Sequence, residues 1–250
     1  MYLEPDGTFP NHEANPLKTE TLVDLQARVR EVGADFGFAL DGDCDRIGVV
    51  DNEGNVVEAS YIGALIGLEV LQLNPGAKML YDLRSSLTVP ELWQASGAHV
   101  DKTMVGHANI KRQMREVDAV FASELSLHLY YRDMNYLEST DLSFLDFLRL
   151  VSHESRTVAE IIAPMKTYAH SGEYNFEVED KDGKIAEIKE KYASASVEVS
   201  ELDGLWMSFD WGWFNVRKSN TDPVLRLNLE AKTEESMKEK LEELSAEIQK

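Results

Sequence analysis

From Thr19 the apolar residues Leu22, Leu25, Val29 and Val32 recur three or four positions apart and Gly33 follows, which predicts a helix with a glycine stop. The short apolar run FGFAL predicts a buried strand that leads into the polar loop DGDCDR. Beyond it, IGVV, the turn DNEG and NVVEA predict two further strands. A helical stretch from Tyr61 to Leu73 breaks at Asn74-Pro75-Gly76, and then KMLYDL, PELWQAS, HVDKTMV, NIKRQMRE and DAVFASE alternate strand and helix. Such alternation predicts a parallel sheet with crossover helices, whose ligands usually sit in the loops at the carboxyl ends of the strands. A helix over Asp141 to Arg149 follows, and Thr157-Val-Ala-Glu160 has the form of a capping box opening a helix that stops near Pro164.

After Tyr168 the pattern changes, and a separate α+β domain is expected. It would contain a strand near Tyr174 to Val178, a helix over Ile185 to Tyr192, three aromatic-rich strands within Ser196 to Val216 and a strand over Val224 to Leu229. A charged helix from Thr233 would close it, turning Met237, Leu241 and Leu244 toward the sheet. The first 16 residues, rich in Pro, Gly, Asn and Asp, read as an extended loop that packs against something else.

Charge narrows the function. With 45 acidic and 25 basic side chains the net charge is −20 over 250 residues, which argues against a nucleic-acid binder. The single cysteine, Cys44, excludes an intramolecular disulfide framework and suggests a reducing, cytoplasmic compartment. No apolar run reaches membrane-span length and the N-terminus lacks the form of a secretion signal, so neither insertion nor export is expected.

Four local motifs carry candidate chemistry. Asp41, Asp43 and Asp45 alternate, so in an extended loop their carboxylates can converge on a hard cation such as Mg²⁺. An EF-hand fits poorly because Arg46 and Asn52 stand where Gly and Glu belong; an acidic turn held by Asx hydrogen bonds is the other reading. Arg217, Ser219, Asn220 and Thr221 offer a guanidinium, two hydroxyls and an amide before Asp222-Pro223, either a phosphate site, with Lys218 and Arg226 adding local positive charge, or a polar hairpin loop. Glu124, Ser126 and His128 alternate at a strand end, suited to gripping sugar hydroxyls or to forming one polar face of an edge strand. His107 and Lys111 share a helical face beside Gly106, as a site or as a surface pair. Cys44, without thiol or imidazole partners at ligand spacing, reads as a bystander.

The order of these motifs, DGDCDR, VGHANIK, ELSLHLYYRD and NVRKSNTDP, resembles the α-D-phosphohexomutases, in their phosphomannomutase/phosphoglucomutase branch. EPDGTFPNHEANPL, NPGAKMLYDLRSS and FDWGWFNVRKSNTDPVLRLNLEAK extend the resemblance over nearly the whole chain. It implies an α/β fold with a mixed sheet: a partial second domain over 1–57 with the metal loop, a third over 58–167 with the sugar loop, and a C-terminal α+β phosphate-binding domain over 168–250. The implied activity interconverts hexose 1- and 6-phosphates with Mg²⁺ as cofactor and a mannose or glucose phosphate as substrate. Asp41, Asp43 and Asp45 would be the Mg²⁺ ligands and Arg46 would lie beside the reacting phosphate. His107, Lys111 and His128 would be further catalytic groups, and Glu124 and Ser126 the sugar contacts. Arg217, Ser219, Asn220 and Thr221 would clamp the non-reacting phosphate. Two departures stand out. The phosphoserine loop, T-A-S-H-N-P-like in the family, has no counterpart in these 250 residues, so the chain is expected to be inactive without a serine domain. Leu127 stands where the family's sugar loop has a small residue, and is expected to narrow the sugar site.

Overall fold

The computed structural model describes all residues of the chain except Leu3, Pro5, Asn220 and Thr221. The first helix, α1 (Val23–Val32), ends where Gly33 turns left-handed and returns its N–H to the Val29 carbonyl. Leu22 and Val29 bury against Val50 and Leu25 packs beside them, whereas Val32 is exposed in the last turn. Two antiparallel strands follow, β1 (Phe36–Leu40) and β2 (Ile47–Asp51), joined by the DGDCDR loop. The strand expected at NVVEA is only a bridge from Val56 to Val50, because Asp51 folds the chain back by accepting the backbone N–H groups of Glu53 and Asn55.

The second sheet has the order β4-β3-β5-β6-β7. Strands β3 (Lys78–Asp82), β4 (His99–Thr103) and β5 (Phe121–Ser123) are parallel, as the alternation predicts. Then β6 (Leu129–Tyr131) and β7 (Leu137–Glu138) add on antiparallel, so the sheet is mixed. Helices α2 (Ala59–Leu73), α3 (Thr88–Ala95), α4 (His107–Val117), α5 (Thr140–His153) and α6 (Val158–Ile162) accompany it. Helix α2 is buried on nearly every side and packs on α3 and α5; its one acid, Glu69, is met by Arg149 at 2.8 Å. Thr157 and Glu160 do form the capping box of α6.

The third sheet is wholly antiparallel, in the order β8-β12-β11-β10-β9. Its strands are β8 (Ala169–Glu177), β9 (Glu198–Ser200), β10 (Leu205–Phe209), β11 (Gly212–Lys218) and β12 (Val224–Ala231). Helices α7 (Lys181–Tyr192) and α8 (Glu234–Ile248) cover it, with Ile188, Leu244 and Ile248 in the core and Met237 and Leu241 at its edge. Strand β8 starts five residues before the expected Tyr174 because AHSGE carries little apolar signal and pairs through its backbone.

The second and third sheets are joined at a packed seam. Leu83, Trp206 and Trp213 form a small apolar cluster. Beside it the buried Glu230 accepts hydrogen bonds from Leu87 N–H and the Trp213 indole, both at 2.9 Å. Asp203 accepts from Val105 N–H at 2.9 Å, and Lys102 lies 3.4 Å over the Trp206 ring.

Gly67 lets α2 approach α3: a methyl there would clash with the Trp93 indole, which donates to the Ala64 carbonyl. Gly67→Ala gains about 1 kcal/mol of helix propensity, but overpacking a rigid ring costs about 1–3 kcal/mol. The urea unfolding midpoint is therefore expected to fall, and a rise would show that the helices separate at no cost.

Candidate active site

The acidic loop is folded around Asp41, which is buried at the end of β1. Its Oδ1 accepts the backbone N–H groups of Asp45 and Arg46, each at 3.1 Å, and its Oδ2 is ion-paired with Arg46 Nε at 3.3 Å. Cys44 holds the turn with a φ of 62°, and its carbonyl accepts from Thr140 Oγ1 at 2.8 Å, which ties the loop to α5. The Asx turn thus leaves the three carboxylates of the loop close together. Asp41, Asp43 and Asp45 each offer a carboxylate oxygen, and these lie within 4.8 Å of one another. Asp45 Oδ1 is buried without a hydrogen-bond partner. Burial, with the charges of Asp41 and Asp43 adding, raises the Asp45 carboxyl against the pull of His128. Three hard oxygens, one of them orphaned, fit a cation such as Mg²⁺.

Glu124, Ser126 and His128 stand on a tight turn between β5 and β6, which brings them closer together than alternation along a strand would. Glu124 N–H donates to the His128 carbonyl, and Leu127 N–H to the Glu124 carbonyl, each at 3.0 Å. Ser126 Oγ and His128 Nδ1 share a hydrogen bond of 2.7 Å, and Nδ1 lies 3.2 Å from Glu124 Oε2. The other ring nitrogen, Nε2, is 3.3 Å from Asp45 Oδ2, so His128 bridges the turn and the acidic loop. Leu127 takes a φ of 71°, costly for a branched side chain, which gives a physical reason for a small residue there. Its side chain is buried with Ile47 and Leu129 and only borders the adjoining cavity, while its carbonyl accepts from Ile47 N–H at 3.3 Å.

Glu124 is itself buried and heavily engaged. It accepts from Tyr130 Oη at 2.8 Å and from Gly106 N–H at 3.1 Å, and it lies 3.5 Å from Arg84 Nη2. The Gly106 bond fixes the start of α4, whose first turns present His107 and Lys111. Both face Glu138, Lys111 at 2.6 Å and the more exposed His107 at 3.9 Å.

The loop after β11 is reached through Arg84. Its guanidinium is clasped by Asp82, with Nη2 to Oδ2 at 2.6 Å, and reaches Glu124 on one side and Glu173 on the other, the latter at 3.6 Å. Glu173 in turn meets Arg217 Nη2 at 3.0 Å and Arg226 Nη1 at 3.2 Å. Arg217 is almost wholly buried, with its Nε unpartnered, and burial lowers its pKa, Arg84's charge adding to that. Arg226 also pairs with Asp222, and Lys218 with Asp182, at 2.8 and 2.7 Å. Ser219 Oγ accepts from Asp222 N–H at 3.1 Å. Asn220 and Thr221 lie outside the described residues.

One continuous run of opposite charges therefore joins the three loops: Asp45, His128, Glu124, Arg84, Glu173, Arg217. Pattern reading missed Arg84 and Glu173, along with Asp82, Tyr130 and Glu138. Asp82 and Arg84 pair within YDLRSS, but the contacts of Arg84 with Glu124 and Glu173 and of Lys111 with Glu138 cross to other elements, and a single basic residue in YDLRSS carries no periodic signal. A cavity of about 490 Å³ opens beside this run, walled by Arg84, Ser126, His170 and Glu173 and, from the first segment, by Pro16 and Leu17.

Three sheet-and-helix units in this order, with an acidic loop, a carboxylate–imidazole turn and an arginine loop linked by ion pairs, define a multidomain α/β protein. The chain belongs to the phosphoglucomutase/phosphomannomutase family: it matches the family's alpha/beta/alpha domain II over residues 1–54, its alpha/beta/alpha domain III over 58–168 and its C-terminal domain over 173–247. It is 42% identical over 240 residues to a phosphomannomutase of Methanocaldococcus jannaschii, covering 96% of this chain and 53% of that protein. A phosphoglucomutase/phosphomannomutase family protein of Burkholderia thailandensis superposes with a TM-score of 0.89 at 27% identity, over 99% of this chain and 54% of the other. An Aspergillus fumigatus N-acetylphosphoglucosamine mutase, solved with GlcNAc-6P and magnesium, shares the fold with a TM-score of 0.67 at 14% identity, over 98% of this chain and 58% of its own. The chain spans about half the length of the curated relatives it matches. Among the described residues no helix is long and apolar enough to cross a membrane.

The turn also has a titration signature. Burial pulls His128 down, but the hydrogen bond and charge of Glu124, with Asp45 adding, raise it above 6.5. Burial pushes Glu124 up, yet His128, Arg84 and Tyr130 hold it at about 2, below its ordinary 4.5. The raised imidazole contributes stability that is full below pH 6.5 and lost as pH rises through its folded pKa. The depressed carboxylate contributes stability present above 4.5 and lost as pH falls toward about 2. Glu124→Gln removes the main partner while burial remains, so the His128 midpoint read by NMR in metal-free buffer is expected to drop. An unchanged midpoint would show that Glu124 does not hold the imidazole.

Proposed function

We propose that the chain carries the metal, sugar and remote-phosphate sites of a phosphohexomutase that interconverts hexose 1- and 6-phosphates in a reducing cytoplasm. The observation that carries this reading is the run of ion pairs that links the acidic loop, the Glu124–His128 turn and the Arg217 loop, beside a cavity that Arg84, Ser126 and Glu173 help to wall. In this reading residues 1–57 bring the metal loop, 58–167 the sugar loop and 168–250 the phosphate clamp.

Asp41, Asp43 and Asp45 would hold Mg²⁺, which when bound neutralises charge on the phosphoryl group in flight. Arg46, tethered by Asp41, stands beside that group and adds positive charge there. His128, held between Glu124 and Asp45, would when protonated donate a proton toward the sugar oxygen, and Ser126 and Glu124 would orient the hydroxyls. Lys111 and His107, both turned to Glu138, add positive charge at the mouth of α4. Arg217 and Ser219, with Asn220 and Thr221 outside the described residues, would grip the phosphate that does not react. The phosphoryl carrier in this scheme is a serine supplied by a further domain.

Given mannose 1-phosphate, glucose 1,6-bisphosphate and Mg²⁺, this chain is expected to form no 6-phosphate above a buffer control, and to gain turnover when a polypeptide carrying a phosphoserine loop is added. Turnover by the chain alone would contradict the scheme; failure of the added domain would favour a non-catalytic binding module. Calorimetry supplies the matching test of the loop. Asp43→Asn removes one of three carboxylate charges at nearly constant shape, so Mg²⁺ affinity is expected to fall about tenfold or more. Equal affinity would make the triad structural.

A further inference from the structure

Glu173 has a position the scheme above does not use. It lies in β8, and its carboxylate is the point on which three guanidiniums converge: Arg217 Nη2 at 3.0 Å, Arg226 Nη1 at 3.2 Å and Arg84 Nη1 at 3.6 Å. The three differ in what else they hold. Arg84 has Asp82 at 2.6 Å and Arg226 has Asp222 at 2.8 Å. For Arg217, the most deeply buried of them, the described hydrogen bond is to Glu173 alone, and its Nε has no partner. The Nε of Arg226 is likewise buried and unpartnered. Glu173 is partly exposed and forms part of the cavity wall, next to Ser126 and His170.

These guanidiniums form a cradle for an oxyanion, and a carboxylate of the protein already sits in it. A phosphate arriving through the cavity must take over the N–H groups that Glu173 now holds, and it does so beside a like charge. We infer that Glu173 is a placeholder anion: it keeps Arg217, Arg226 and Arg84 together while the clamp is empty, and it competes with the ligand's phosphate so that the clamp binds reversibly. This inference rests on the proposed clamp role of the Arg217 loop.

The direction of the effect separates a competitor from a strut. Glu173→Gln keeps the shape and removes the charge. In calorimetric titrations of the full chain, inorganic phosphate and mannose 6-phosphate are each expected to bind about tenfold more tightly to this variant than to the wild type. Glu173→Asp keeps the charge but withdraws it by one methylene, and is expected to fall between the two. If the folded Gln variant binds equally or more weakly, Glu173 merely props the arginines and the inference is overturned. If the Gln variant does not fold, the Asp variant decides alone: tighter binding supports competition, and equal or weaker binding overturns it. A different result would remove the ground beneath the inference. If wild-type binding of phosphate is not weakened by Arg217→Lys, the Arg217 loop is not the clamp, and the placeholder falls with it.

Discussion

A guanidinium taken out of water is tolerable only when carboxylates meet it, and Arg84 is the residue on which this constraint falls hardest. Its side chain is about one-tenth exposed and clasped by Asp82, with Glu124 and Glu173 on either side. Its pKa is raised: burial opposes the charge, but Asp82, Glu124 and Glu173 outweigh it. Such a residue cannot move without leaving buried charges unpaired, and that penalty is larger than anything the pairs gain over an apolar core. The turn after β5, the start of α4 and the β8 to β11 corner are consequently held relative to the end of β3.

This constraint sets the character of the site. Glu124 has most of its lone pairs committed to Arg84, Gly106, Tyr130 and His128. It therefore has little free acceptor capacity and acts chiefly on the charge state of His128. On the far side, His170 sits 3.0 Å from the Arg84 carbonyl and accepts from Gly172 N–H, so the backbone leading to Glu173 is fastened to the same residue. In a chain of net charge −20, three guanidiniums, those of Arg84, Arg217 and Arg226, meet at this junction and make it locally positive.

What the sequence made legible was local. The spacing of Asp41, Asp43 and Asp45 already implied converging oxygens, because three alternating carboxylates need only one turn to meet. Thr157 with Glu160, Gly33 after α1, and Met237, Leu241 and Leu244 in α8 were readable for the same reason: each signal and its partner lie within one or two helical turns. The antiparallel pair β6 and β7 was hidden because LYY and LE are too short to show a period. Arg84 and Glu124 are 40 residues apart and Glu173 and Arg217 are 44 apart, and separations of that size leave no trace in a local pattern. The turn at Ser126 read as a strand end because Leu125, Leu127 and Leu129 alternate. The positive φ of Leu127, which curls the segment, is a tertiary outcome carried by the burial of its side chain.

In the proposed scheme the turn and the arginine loop are parts of one binding site coupled through Arg84 and Glu173. A two-dimensional amide NMR titration of the full chain with mannose 6-phosphate in the presence of Mg²⁺ tests it most directly. Shifts are expected at both Leu125 to His128 and Val216 to Ser219, saturating together along a single binding curve. Shifts confined to one loop, or two curves saturating at separate concentrations, would contradict it.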